Sequence, residues 1–157
     1  MKTSISHPQI VKKFNKKMIL ISAIIATAGI VSLFLSWTLA GSFLLVISLI
    51  IYFVKSTQEV YSPSGSYLKT TSCYFDKERL TALKGIIEKP VTEETPLFKL
   101  MPQGNGRIDL VYSADKEFAG VQLYQFIPHT YEPVSDMVSY TGNDARKLLK
   151  YIEKCRA

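Results

Sequence analysis

Few residues in this 157-residue chain are of the types that carry chemistry: two cysteines, Cys73 and Cys155, and two histidines, His7 and His129. Nucleophilic catalysis needs a thiol or hydroxyl beside a base, and Cys73 with His129 is the pair of types that would serve. The plainer expectation is that Cys73 is a small core or edge residue and His129 a solvated loop residue. The two cysteines stand 82 positions apart with no CxxC, and the histidines share no metal-binding spacing, so neither a metal nor another cofactor is expected. No GxxxxGK[ST], GxGxxG, HExxH or GxSxG motif occurs, and Gly104-Asn105-Gly106 is a turn signal without the helix start of a phosphate cradle. Asp109, Asp115, Glu117 and Asp136 suit strand surfaces and turns better than acid–base pairing. The chain is therefore expected to be non-enzymatic. An enzyme acting on a membrane-associated substrate is the least favoured reading, kept because sites are assembled in space and not in sequence.

Tyrosine is the chemical type in excess. Eight of the nine lie beyond residue 60, mostly in segments with strand character, where aromatic residues are favoured anyway. Tyr131 differs, because with His129 it stands between Pro128 and Pro133, and prolines lower the entropy of presenting a loop. Rigid aromatic loops anchor protein partners. His129, Tyr131, Pro128 and Pro133 are the expected partner contact, with Tyr131→Ala weakening binding and leaving the melting midpoint unchanged.

The elements that would position such a site divide sharply. Met18 to Val54 is a run of 37 residues without a charge. About 20 apolar residues span a bilayer, so the run is too long for one crossing and suits two short ones. Two helices follow, Met18 to Leu35 and Leu39 to Val54, turning at Ser36-Trp37-Thr38, with Trp37 and Tyr52 at opposite interfaces. A cleaved signal peptide is disfavoured because the apolar run continues 14 residues past Ala40. Ser22, Ala26 and Gly29 share one helix face, and Gly41 and Ser48 share another. Small residues permit close helix approach, either within the hairpin or between copies of it. No ionisable residue lies in the span, which argues against a transporter or channel.

Charge sets the orientation. Lys2, Lys12, Lys13, Lys16 and Lys17 precede the run with no acidic residue, whereas from Lys55 onward 14 Lys or Arg face 13 Asp or Glu. By the positive-inside rule both termini are expected in the cytoplasm. Lys12, Lys13, Lys16 and Lys17 would also favour anionic headgroups at about 1 kcal/mol each. The pI near 9.3 thus comes from a short arm, and the near-neutral remainder argues against nucleic-acid binding.

Three regions are expected: a basic cytoplasmic arm (1–17), a transmembrane hairpin (18–54) and a cytoplasmic domain (55–157). In the last, Tyr67 to Phe75 reads as a strand. Asp76 caps a helix to about Glu88 carrying Leu80, Leu83 and Ile87, and Leu97 to Met101 reads as a short strand. Arg107 to Tyr112 and Phe118 to Phe126 form a hairpin, Val134 to Tyr140 a last strand, and Thr141 opens a helix with Ala145, Leu148, Leu149 and Ile152 inward. The fold class is α+β: a transmembrane hairpin, then a small antiparallel sheet with two helices. As an architecture this resembles bacterial membrane-tethered binding modules, which implies an inner-membrane location. The leading functional expectation is a membrane-anchored interaction or regulatory module with a protein partner or a second copy of itself. The runner-up is a small integral subunit or immunity-type protein in which the hairpin does the work.

Overall fold

The computed structural model describes residues 7–92 and 94–156. Lys2 of the basic arm lies outside them. The chain forms two compact units, Met1–Val60 and Tyr61–Ala157, and is α+β, with four α-helices and seven strands among the described residues.

The first unit is built on a helical hairpin. Helix α1 (Lys16–Phe34) is capped by Asn15, whose side chain accepts from the Met18 amide at 3.3 Å. It ends in a Schellman turn: Trp37 N–H reaches Ser32 O at 2.9 Å, Ser36 N–H reaches Leu33 O at 3.1 Å, and Ser36 takes φ +61° where glycine is usual. Helix α2 (Thr38–Lys55) returns, and the Asn15 amide closes the base on Ser56 O at 2.7 Å. Both helices are long and apolar enough to cross a membrane. Part of the basic arm is strand β1 (Ile10–Phe14), and β2 (Thr57–Tyr61) follows the hairpin.

The second unit is an antiparallel sheet carrying helices. Strand β3 (Ser66–Phe75) leads through a 3₁₀ turn (Lys77–Arg79), opened by Asp76, into α3 (Leu80–Ile87). Strands β4 (Gly106–Ser113) and β5 (Phe118–Ile127) form the central hairpin. Strand β6 (Thr130–Pro133) pairs with one end of β5 and β7 (Val138–Thr141) with the other. Helix α4 (Gly142–Arg156) closes the chain. Side chains alternate across a strand. Ile108 and Leu110 of β4, Cys73 and Phe75 of β3, and Val121 and Leu123 of β5 therefore point one way and form a core with Leu83, Ile87, Leu148 and Ile152 of the helices. Leu83 and Leu148 are each 1% exposed, and each such burial is worth about 1.5–3 kcal/mol.

Three segments depart from the sequence reading. Leu97 to Met101 is not a strand. Only Met101 bridges to Tyr74, while the Leu100 amide donates to Cys155 O at 3.1 Å, so its donor goes to the end of α4 and not to a strand partner. The last strand begins at Val138 and not at Val134: Ser135 Oγ takes the Leu123 amide at 3.0 Å, replacing a ladder bond, and the chain bulges there between β6 and β7, which pair with the same edge of β5. Third, Leu80 is only partly buried at the rim of the core.

Candidate functional site

The sheet face turned away from α3 and α4 carries the polar and aromatic residues. Arg107 on β4 lies in register between Tyr74 on β3 and Tyr124 on β5. Its guanidinium carbon stands 4.5 Å from the Tyr124 ring centroid and 4.7 Å from that of Tyr131, a double cation–π arrangement. Arg107 Nη2 also donates to Asp109 Oδ2 at 3.0 Å, and the Ser72 hydroxyl donates to Asp109 Oδ1 at 2.8 Å. Asp109 is 6% exposed, so the carboxylate survives burial by holding a cation and a hydroxyl at once. Burial, and then the Asp109 charge, push the Tyr124 phenol above its ordinary range, with Arg107 opposing.

This cluster fixes the β5–β6 hairpin. Tyr131 packs between Tyr74 (centroids 6.0 Å) and Phe126 (5.2 Å), and its hydroxyl donates to Gly104 O at 2.7 Å. Ile127 pairs with Thr130, leaving Pro128 and His129 as a two-residue turn. Proline followed by a residue at φ +78° is the type II signature. The expected loop is thus a hairpin, and its members divide. Pro128 and His129 are exposed at the tip beside exposed Phe126 and Ile127, and Pro133 is exposed on β6. Tyr131 is a half-buried strand residue, bonded inward. It is not a free loop anchor, and the expectation that Tyr131→Ala would spare stability is corrected on that ground.

The nucleophile–base pair is not assembled. Cys73 is 4% exposed on the core face, where its Sγ accepts from Arg156 Nη2 at 3.1 Å, while His129 stands on the exposed turn. Cys155 is also buried, and both thiols are free. Among the described residues, no group of three His, Cys, Asp or Glu could hold a metal ion.

The comparisons find nothing to set beside this arrangement. No family model, curated protein or solved structure matches the chain. The reading rests on the chemistry of its own side chains.

In the helical hairpin the small residues meet one another. Ser22 and Ser48 are each 5% exposed and bonded across the two helices. Gly29 and Gly41 are likewise apposed: a methyl added at Gly41 would stand 2.8 Å from Gly29 O, and one at Gly29 would stand 3.0 Å from Gly41 O. Ala26 is half-buried on the same helix. Lys12, Lys13, Lys16 and Lys17 are all exposed. Sequence reasoning missed the Arg107 cluster. Its one available signal was Arg107 and Asp109 two apart on a strand, which places both on the same face.

Proposed function

We propose that the chain is a membrane-anchored, non-enzymatic module. Its helical hairpin is a tether, and its second unit contacts a protein partner through the tip of the β5–β6 hairpin. The observation that carries the anchor is the dry, outward-facing surface of α1 and α2. Each has a mean hydropathy of 2.0 or more over a membrane-length window, yet only 11% of that window is buried. The core helix of a soluble protein would hide such a surface. Here Leu20, Ile24, Phe34, Leu39, Phe43 and Phe53 are each at least 60% exposed, which favours hydrocarbon around them.

Both termini are assigned to the cytoplasm of a bacterial inner membrane. Lys12, Lys13, Lys16 and Lys17 meet anionic headgroups on that side. Serine and glycine contacts satisfied inside the hairpin support a tether over a hairpin that works by pairing with other helices. At the other end, exposed Phe126 and Ile127 on a strand held by Arg107 and Tyr131 offer an apolar tip that orders at little further cost when bound. The strand β6 is short and carries Pro133, which disfavours recognition by strand addition.

The test exchanges the hairpin for an unrelated two-span anchor and places a photocrosslinker at Ile127. The proposal expects the chimera to remain in membranes after alkaline washing and to keep the wild-type crosslink. Pro128→Gly with His129→Asp should lose it. Loss of the crosslink on exchange of the hairpin alone would instead make the hairpin the working part.

A further inference from the structure

Helix α4 places Lys147, Lys150 and Lys154 three and four residues apart, on one side of the helix, with Tyr151 among them. Together with Val91, Thr92, Thr95 and Leu97 they line a cleft of about 420 Å³, within the size range of small-molecule sites. The three lysines are exposed. The ion pairs among the described residues are Arg107–Asp109 and Arg146–Glu117, and neither involves these three lysines. Like charges at this spacing repel, and a bound anion relieves the repulsion.

The rest of the cleft joins apolar and hydroxyl side chains. Val91 and Tyr151 are each 6% exposed. The Tyr151 ring packs on Phe98 at 5.8 Å, and its hydroxyl is spent on Pro96 O at 2.5 Å. Thr92 and Thr95 close on each other, the Thr92 amide donating to Thr95 Oγ1 at 2.9 Å. Cations on one wall and a fixed aromatic-aliphatic floor ask for a ligand with both characters. A phosphomonoester carries close to two negative charges and three acceptor oxygens. Lysine ammoniums, as mobile point charges, suit such a tetrahedral group, whereas a carboxylate is better matched by an arginine fork.

We infer that this cleft binds an organic phosphate. Lys147, Lys150 and Lys154 hold the phosphate, and Val91, Leu97 and the Tyr151 ring take the apolar body. The inference stands apart from the proposed tether and partner contact, since it uses none of their residues. The phosphate could come from a lipid headgroup or from a soluble metabolite, and the experiment separates the two.

The full chain in phosphatidylcholine nanodiscs would be titrated with 1-naphthyl phosphate, following naphthyl fluorescence, and in parallel with pyrophosphate. Saturable naphthyl phosphate binding is expected. Lys150→Ala with Lys154→Ala should weaken it roughly tenfold, equivalent to about 1.4 kcal/mol, at an unchanged melting midpoint. Leu97→Asn should weaken naphthyl phosphate and leave pyrophosphate nearly unaffected, whereas Lys12→Ala with Lys13→Ala should change neither. Displacement of the probe by phosphatidic acid doped into the discs supports a headgroup, and its persistence supports a soluble phosphate. Equal binding by wild type and the double lysine variant, or no saturable binding of either probe, would overturn the inference.

Discussion

Ser22 and Ser48 hold the two helices together by exchanging bonds. The Ser22 hydroxyl donates to Ser48 O at 3.1 Å and the Ser48 hydroxyl to Ser22 O at 2.9 Å, with the two Oγ atoms 3.2 Å apart. Each serine thereby binds the backbone of its partner helix and fixes register as well as distance. The glycine pair nearer the turn works by absence, since Gly41 leaves room for Gly29 O.

Gly41→Ala should therefore be more damaging than Ser22→Ala. The added methyl would meet a backbone oxygen at 2.8 Å and Leu33 Cγ at 2.7 Å, and backbone cannot yield as a rotamer can. Interhelical hydroxyl bonds in membranes average about 0.6 kcal/mol, with a maximum near 1.7. Ser22→Ala should fall in that range, and Gly41→Ala should exceed it by forcing the helices apart. Steric-trap unfolding in bicelles measures both.

Arg107→Met should destabilise the second unit by about 2–3 kcal/mol, below the 3–5 of a fully buried broken pair, because Ser72 still bonds Asp109. Removing both charges with Asp109→Leu should recover a large part of that loss. Chemical denaturation of the two variants tests it. A double variant no more stable than Arg107→Met would show that the cation–π contacts, and not the stranded carboxylate, carry the cost.

At the hairpin tip, His129 takes φ +78°, a region that costs a residue with a Cβ about 1–2 kcal/mol and a β-branched one more. His129→Val should lower the melting midpoint and His129→Gly should not. Tyr131→Ala should lower it as well, at a cost of roughly 1–3 kcal/mol in stability, because a half-buried hydroxyl bond and ring packing are lost together. Differential scanning calorimetry reads all three.

Alkaline pH should unfold the second unit early. Tyr140 is pushed above its ordinary value near 10 by burial and then by the Asp144 charge, and its hydroxyl donates to Ile87 O and Lys89 O. Burial, and then Cys155, push Tyr151 up still further. A group with a raised folded pKa keeps its proton in the native state after the unfolded chain has lost it. Its contribution is complete below about pH 10 and is lost as pH climbs toward the folded value. The midpoint should fall above pH 10, and Tyr140→Phe should flatten that fall while lowering stability at neutral pH.

The sequence revealed what depends on period and composition. The uncharged run of Met18 to Val54 marked both apolar helices, and the alternation from Arg107 onward marked the central strands. It failed where a side chain or a distant backbone group took over a ladder bond. Ser135 replaces a strand contact at the edge of β5, and Cys155 O claims the Leu100 amide, and neither substitution leaves a local signal. Lys12 and Lys13 read as a solvated arm because charge hides the short strand beneath them. The Arg107 cluster needs Tyr74, Tyr124 and Tyr131 from three strands, so only register could assemble it.

The central claim is a hairpin that crosses the bilayer with the second unit on the cytoplasmic side. Cys73 and Cys155 are 4% and 5% exposed, which makes the folded chain nearly silent to thiol reagents and leaves introduced cysteines readable. Thr38→Cys, at the turn, and Gln103→Cys, exposed in the second unit, should be treated separately with a membrane-impermeant maleimide in intact cells. The account predicts labelling at 38 at once and at 103 only after the membrane is opened. Labelling at 103 in intact cells, or recovery of the chain in the soluble fraction, would contradict it.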